Sequence, residues 1–114
     1  MFFWEKQKAL TKGSWLKMDY REQDIFVQLS GRLDHTLRDD LCAVLQPLLK
    51  RRIQGAIVLQ LSNVHFLDVT IATTLAEFFR QAERRNVTLE IWDASPVVER
   101  VFAGLGLEKL LSRT

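Results

Sequence analysis

Hydrophobic and polar residues alternate along two neighbouring segments near the start of the chain. Residues 15–23 and 25–30 place apolar side chains at every second position, a period typical of strands with one buried face. The polar residues 21–24 predict a turn between the two segments. We therefore expect a hairpin whose second strand ends at Gly31.

The segment after Gly31 changes to helical spacing, which predicts a first helix. Its apolar positions are Leu37, Leu41, Val44, Leu45, Leu48 and Leu49. Either Asp34 or Thr36 can cap its start, since short polar side chains accept hydrogen bonds from the first backbone N–H groups. Pro47 falls inside the pattern and lacks an N–H, so we expect a kink or an early end there.

Strands and helices alternate in the second half of the chain. Residues 56–61 are apolar except for Gln60, which is typical of a central strand covered on both faces. A second helix is predicted to follow Asp68 and to end in the charged residues 83–86. Residues 87–92 alternate again and predict a further strand.

Ser95 followed by Pro96 predicts the start of a third helix, because serine is a good cap and proline fits the first turn. Gly104 and Gly106 end this helix, and residues 107–111 are expected to add a last turn. The element order is therefore β-β-α-β-α-β-α. That order predicts an α/β fold with a mixed sheet of about four to five strands, parallel neighbours joined by right-handed crossovers and helices packed on the sheet.

Residues 1–13 stand apart as an N-terminal extension before a domain predicted to span residues 14–114. Phe2, Phe3 and Trp4 open this extension, and strongly apolar residues need cover from water. They either pack onto the domain or onto a second copy of it, or they form a docking or membrane-proximal segment. The second-copy alternative predicts a homodimer.

The composition limits the kinds of partner. A chain of 114 residues fits one domain, and 47% hydrophobic with 26% charged residues is typical of a folded protein. A net charge of +2 is too balanced to predict a nucleic-acid partner. No apolar run approaches the roughly 20 residues that cross a bilayer, so the chain is not predicted to span a membrane. One cysteine, Cys42, allows no internal disulfide and favours the cytoplasm.

Residues with catalytic or metal-binding chemistry are scarce. His35 and His65 lie in separate segments, and Cys42 falls on an apolar helix face, where it is predicted to be a buried small hydrophobe. Nothing in the sequence pairs Cys42 with His65 as a nucleophile and base. No glycine-rich phosphate loop and no Gly-x-Ser-x-Gly motif is present. The chain is therefore predicted to be a binding module without a cofactor or a metal ion, and not an enzyme.

The most informative junction is residues 66–70, where a buried strand meets a helix at the carboxyl end of the predicted parallel sheet. Open α/β sheets place their sites at such strand ends. Asp68 is positioned to cap the helix, which puts Thr70 in the first turn, where backbone N–H groups attract anions. A phosphate on Thr70 would be stabilised by those groups and opposed by Asp68. Alternatively, Asp68 is only a cap and Thr70 an ordinary helical residue.

Three segments of the chain resemble the STAS family, which is named for sulfate transporters and anti-sigma factor antagonists. Residues 29–34 read Leu-Ser-Gly-Arg-Leu-Asp, like the family's Leu-x-Gly-x-Leu-Asp. Residues 59–68 resemble the family's Asp-Leu-Ser-x-Val-x-Phe-Ile-Asp. The third segment leads from residues 86–89 through 95–98 to 104–107. In this order and spacing the resemblance covers residues 15–111.

The resemblance implies the STAS fold, a mixed sheet beside a layer of helices, and a protein that is not an enzyme. In those members of the family that are anti-sigma factor antagonists, a kinase-like anti-sigma factor phosphorylates the Ser or Thr directly after the conserved Asp, which weakens binding. The resemblance implies a switch of this kind at the same junction. Other members regulate an anion permease from its cytoplasmic side, serve phospholipid-transport complexes or bind nucleotides.

The chain departs from the family pattern at this junction. Val69, which cannot be phosphorylated, follows Asp68, and Thr70 comes one position later. Thr70 is therefore the predicted phosphorylation site, with Thr73 and Thr74 behind it. Two further departures accompany this one. Ile71 and Ala72 stand where the family has a Gly, and Gln60 stands where it has an acidic residue.

The predicted function is a cytoplasmic, non-enzymatic interaction module that binds a protein partner, such as a kinase-like anti-sigma factor. The predicted partner-binding and switch residues are Asp68, Val69, Thr70 and Thr73. The alternative is a STAS domain that regulates or belongs to a membrane transporter, either a SulP-type anion permease or a phospholipid-transport complex at the inner face of the membrane. A nucleotide near Asp68 is a third hypothesis, which no glycine loop supports.

Overall fold

A computed structural model describes residues 9–12, 14–51 and 54–113 of the chain. The strands are β1 (Ala9–Lys12), β2 (Leu16–Arg21), β3 (Asp24–Leu33), β4 (Ala56–Leu67), β5 (Thr88–Trp92) and β6 (Leu111–Arg113). The helices are α1 (Arg38–Lys50), α2 (Val69–Arg84) and α3 (Pro96–Gly104). Short 3₁₀ turns at His35–Leu37 and Glu108–Leu110 lead into α1 and β6.

The strands form one mixed sheet in the order β1-β2-β3-β4-β5-β6. The first three strands are antiparallel neighbours, and β3 to β6 are parallel neighbours. The predicted α/β architecture, a mixed sheet with helices packed on it, is confirmed. Its body consists of the four longer strands β2 to β5, and one short strand at each edge brings the number to six.

The apolar core lies between one face of the sheet and the three helices. Over most of their length the strands contribute every second residue to it, as the alternation predicts, among them Leu16, Met18, Ile25, Val27, Leu29, Ile57, Leu59, Leu61 and Ile91. The helices add residues at helical spacing, namely Leu41, Leu45, Leu48, Leu49, Ile71, Leu75, Phe78, Val98 and Phe102. Removal of this apolar surface from water is the main force that holds helices and sheet together.

The opposite face of the sheet lies away from the helices, and β4 contributes a buried residue to it as well. Val58 is 1% exposed although it points away from the core. Its register partner on β3 is Phe26, whose ring meets the Trp92 ring edge-on at 5.7 Å between centroids. The continuous apolar run of residues 56–61 thus reflects helices on one face and aromatic side chains near Val58 on the other.

Both strands that lead to the carboxyl edge of the sheet run further than predicted. The prediction ended β3 at Gly31, but the strand continues to Leu33, and β4 continues beyond Leu61 to Leu67. Gly31 has φ +86°, and the β3–β4 register shifts on both sides of it. Such irregularities interrupt the period of two. A prediction based on alternation therefore stops at the bulge, although the strand continues beyond it.

The predicted early end of α1 at Pro47 is wrong, because the helix continues to Lys50. Pro47 is exposed and lies near the end of the helix, so its ring removes a single backbone hydrogen bond. The buried side chains of Leu45, Leu48 and Leu49 hold this last turn against the core. At the other end Asp34 is the cap of the preceding 3₁₀ turn, because its carboxylate accepts a hydrogen bond from the Thr36 N–H at 3.1 Å.

The start of α3 is capped as predicted. Ser95 Oγ accepts a hydrogen bond from the Val98 N–H at 3.4 Å and donates one to the Val64 carbonyl oxygen at 2.8 Å. The residues after this helix form one 3₁₀ turn, as expected for residues 107–111, and then the short strand β6, which the sequence did not predict.

The N-terminal part of the described chain belongs to the sheet. Within the predicted extension of residues 1–13, Ala9–Lys12 pairs with β2, and Ala9 lies opposite Asp19. The division into an extension and a domain of residues 14–114 stays a prediction. The predictions for Phe2, Phe3 and Trp4 lie outside the described residues.

A glycine at the start of β4 generates a prediction about stability. A Cβ atom at Gly55 would clash with the Asp24 carboxylate at the start of β3 and with the carbonyl oxygen of Gln23 in the turn before it. The same carboxylate accepts a hydrogen bond from the Ala56 N–H at 2.8 Å. We expect Gly55→Ala to lower the free energy of unfolding by about 1–3 kcal/mol, the usual cost of overpacking, measured by urea unfolding.

Gly104→Ala is the matched control, because nothing lies within 4 Å of a Cβ added there. The control adds a better helix former at the end of α3 and is expected to cause no loss of stability. Equal unfolding midpoints for the two variants would contradict the role assigned to Gly55.

Candidate functional site

The candidate site forms where two parallel strands end side by side. Leu33 of β3 and Leu67 of β4 are register partners, and both side chains are buried in the core. Each is followed by an aspartate, Asp34 or Asp68, that turns outward at the carboxyl edge of the sheet. The two carboxylates are therefore neighbours because the strands are parallel and end in register.

Asp68 connects the start of α2 to the adjacent strand. Its Oδ1 atom accepts a hydrogen bond from the Ile71 N–H at 2.9 Å, which is the predicted helix cap. Its Oδ2 atom accepts one from the His35 N–H at 2.7 Å, and its own N–H donates to the Leu33 carbonyl oxygen at 3.2 Å. One carboxylate thus satisfies backbone donors on two different elements and fixes their relative position.

Asp34 organises the neighbouring turn in a similar way. It accepts hydrogen bonds from the Thr36 hydroxyl and the Thr36 N–H, and Arg32 Nε lies 3.4 Å from its second oxygen. The Thr36 hydroxyl contributes most to lowering the pKa of Asp34 below its ordinary value, followed by the Thr36 N–H and, less, by the charge of Arg32. The stability that this ionised carboxylate contributes is present at neutral pH and is lost as the pH falls through its folded-state pKa.

Exposed apolar side chains flank the two aspartates. Val69, the first residue of α2, is 57% exposed, and Phe66 is 37% exposed. The Arg32 guanidinium lies over the Phe66 ring, 4.0 Å from its centroid, in a cation–π contact. Leu105, after α3, is the one other large hydrophobic residue exposed to this degree in the part of the chain that the structure describes. Exposed apolar side chains near satisfied polar groups are typical of a protein-binding surface.

The threonines of the first two turns of α2 differ in access. Thr70 is exposed, and its hydroxyl makes no hydrogen bond within the described part of the chain. Thr73 is exposed too, but its hydroxyl donates to the Val69 and Thr70 carbonyl oxygens at 2.9 and 3.1 Å. Thr74 is buried and donates to the Thr70 carbonyl oxygen at 2.7 Å. Of the three, Thr70 has the most available hydroxyl.

The structure brings the predicted residues Asp68, Val69, Thr70 and Thr73 together at the first turn of α2. The sequence-based interpretation missed the contribution to this site of Arg32 at the end of β3 and of Asp34 and His35 in the connection that follows. A signal was available, because both strands end in Leu-Asp with a threonine two residues after the aspartate. Once β3 and β4 are recognised as parallel neighbours, that repetition places the two segments side by side.

Other candidates for chemistry remain apart from this site. Cys42 is partly buried and packs against the core from α1, while His65 is exposed on β4. Within the described ranges, no three His, Cys, Asp or Glu side chains form a group that could hold a metal ion. Likewise, none of the helices described is both long and apolar enough to cross a membrane.

Comparison with known proteins relates this arrangement to a family. A family model described as "Mlab, STAS domain" matches residues 17–112. The chain is 26% identical over 96 residues to an anti-sigma F factor antagonist of Paenibacillus polymyxa, in a match that covers 84% of this chain and 82% of that protein.

Two solved structures share the fold. The anti-sigma factor antagonist SpoIIAA in its unphosphorylated form superposes with a TM-score of 0.75 at 18% identity, covering 87% of each chain. The Bacillus cell fate determinant SpoIIAA in its phosphorylated form superposes with a TM-score of 0.69 at 17% identity, covering 87% of this chain and 90% of that one.

The double role of Asp68 predicts a specific loss of stability. In Asp68→Asn, one amide oxygen can cap Ile71, but the amide nitrogen then faces the His35 N–H, donor against donor. We expect the free energy of unfolding to fall by about 1–3 kcal/mol, the usual cost of leaving such a group unpaired, measured by urea unfolding.

Asp39→Asn is the charge-matched control. The Asp39 side chain is 97% exposed and its described partner is Arg38 at 3.6 Å, so its replacement should change stability by less than about 0.5 kcal/mol. If both variants unfold at the same urea concentration, Asp68 does not hold the two elements together.

Proposed function

Because the chain belongs to the STAS domain family, we propose that it is a non-enzymatic interaction module that binds a partner protein through the start of α2. It is a STAS domain similar to anti-sigma factor antagonists. The observation that carries the proposal is Val69, an apolar side chain held 57% exposed on a helix start that Asp68 fixes in place.

The rigidity of this surface supports a binding role. Val69 begins the helix that Asp68 caps at the Ile71 N–H, and the same carboxylate also bonds to the His35 N–H, so little conformational freedom remains to be lost at Val69 when a partner binds. Charged groups belong to the same edge of the sheet, since Arg32 lies over Phe66 and close to the Asp34 carboxylate. An apolar centre with a polar rim is the usual anatomy of a protein–protein interface.

The proposed partner is a kinase-like anti-sigma factor in the cytoplasm. We propose that Val69 provides a docking contact that is always present, and that Thr70 adds regulation. A phosphate on Thr70 would bring about −1.5 to −2 charges next to Asp68. Such a charge would stand beside the apolar contact at Val69 and would make the surface more negative. Phosphorylation is therefore expected to weaken binding rather than to create it.

A charge placed at Val69 tests the docking surface. We expect Val69→Asp to weaken binding to a kinase-like anti-sigma factor from the same cell by about tenfold or more, because the interface centre would have to bury an unpaired carboxylate. Isothermal titration calorimetry measures the dissociation constants. Leu105→Asp is the matched control, since it introduces the same charge at another exposed hydrophobic residue. The proposal fails if the two variants lose affinity equally.

Phosphorylation at Thr70 has its own test. Incubation with the kinase-like partner and ATP is expected to add one phosphate to the native chain and to Thr73→Ala, but none to Thr70→Ala, as measured by intact mass and peptide mass spectrometry. Thr74→Ser is the control for a buried hydroxyl and should leave the modification unchanged. A phosphate that persists in Thr70→Ala would assign the modification elsewhere.

A second candidate function is a STAS domain that regulates or belongs to a membrane transporter, either a SulP-type anion permease or a phospholipid-transport complex. The hydrophobic Val69 favours it, because a position without a hydroxyl suits a permanent docking contact. Co-purification with transporter subunits from the same cell tests it, using Val69→Asp and Leu105→Asp again. The transporter role at the inner face of the membrane would be supported if Val69→Asp alone abolished co-purification and the native chain bound no anti-sigma factor.

A further inference from the structure

The face of the sheet opposite the helices carries an aromatic surface that the site at α2 does not use. Across the sheet, Ala9, Asp19, Phe26, Val58 and Glu90 are successive register partners. The next row on the same face contains Lys17, two residues before Asp19, and Gln28, Gln60 and Trp92, each two residues after its counterpart in the first row. We call the β2–β5 residues of these two rows the open face, because the three helices pack on the other side.

The centre of the open face is apolar. Phe26 and Trp92 meet edge-on, the Arg21 guanidinium carbon lies 4.6 Å from the Phe26 ring centroid, and Val58 beneath is buried. Next to Phe26 lies a cavity of about 340 Å³, whose lining includes Lys17, Asp19, Arg21, Gln28 and Gln60. A sheet face turned away from the core normally carries polar residues at alternate positions. Because Phe26 and Trp92 are only half-buried, their rings leave apolar surface beside this mostly polar cavity that a further apolar group can cover.

The chain itself supplies a group of matching chemistry within reach. Phe2, Phe3 and Trp4 are consecutive, and only residues 5–8 separate them from β1. Trp4 is five residues before Ala9, which allows about 17 Å at roughly 3.3 Å per residue. Phe26 lies two strands away from Ala9 in the same row, which is about 10 Å at roughly 4.8 Å per strand.

We propose that Phe2, Phe3 and Trp4 pack on the open face of the same chain, filling the cavity beside Phe26. The short tether favours this occupant over a second copy, because it keeps the segment at a high effective concentration next to the surface. Phe and Trp side chains each bury about 150–250 Å² when covered, so three of them match a patch that spans several strands. The surface is separate from the start of α2, and the proposal does not depend on the proposed function.

Paramagnetic relaxation in the full chain tests the proposal. A nitroxide label is attached through Glu5→Cys in a Cys42→Ser background, so that residue 5 carries the single label. In ¹⁵N-correlated spectra, we expect the Gln28 and Gln60 amide signals and the Trp92 indole N–H signal to lose most of their intensity. Amides of α2, which lies behind the sheet, provide the internal reference and should keep theirs.

The matched control carries the same label and chain length with Phe2→Ser, Phe3→Ser and Trp4→Ser. Its open-face signals should regain intensity severalfold, because only the aromatic groups hold the label near the sheet. Trp4→Ser alone is the milder variant and should give part of that recovery. Equal broadening with and without the aromatic groups would overturn the proposal, and so would the absence of broadening in the native segment.

A mixed sample separates the same chain from a second copy. It combines labelled chains without ¹⁵N with ¹⁵N chains that carry no label, so any broadening must pass between molecules. We expect the open-face signals to keep their full intensity in this sample. Broadening as strong as that in the sample whose chains carry both ¹⁵N and the nitroxide would show that the segment covers another copy. That result would overturn the proposal.

Discussion

The geometry of the candidate site depends on the hydrogen bonds of one carboxylate, Asp68. The side chain bonds to the Ile71 N–H of its own helix and to the His35 N–H of the neighbouring strand-to-helix connection. An aspartate that only capped α2 would leave the two connections joined by strand pairing and by the bond from the Asp68 N–H to the Leu33 carbonyl oxygen. Because the second oxygen bonds to His35, the start of α2 and the end of β3 form one rigid edge, on which Phe66 and Val69 are displayed.

This arrangement requires parallel strands that end at the same level. The register shift around Gly31 allows Leu33 and Leu67 to pair at the edge, so that both leucines enter the core while both following aspartates leave it. The irregularity therefore has a positional role, since it aligns the two ends. Its consequence reaches the surface, where Arg32 from one strand covers Phe66 from the other.

The sequence was sufficient where one local interaction decides the structure. Asp68 and Ser95 cap their helices as predicted, and the alternation of β2 and β3 identifies the inward-facing residues. It was insufficient where the outcome depends on contacts between distant segments. The ends of β3 and β4 are set by pairing across a bulge, and Pro47 is tolerated because neighbouring leucines hold the last turn of α1 to the core. The role of His35 required the neighbouring strand to be known.

Helix geometry would separate the proposed docking contact from the proposed regulation at the start of α2. Successive residues of an α-helix are about 100° apart, so Thr70 points away from Val69, whereas Thr73 returns to within roughly 40° of Val69. A docking surface centred on Val69 would therefore extend over Thr73, with Thr70 at its border near Asp68. A phosphate there would act on a partner mainly through charge at the rim. Rim charges change association rates and are screened by salt. Such regulation would therefore alter the affinity for the partner in a graded way, while the apolar contact at Val69 would determine which partner binds.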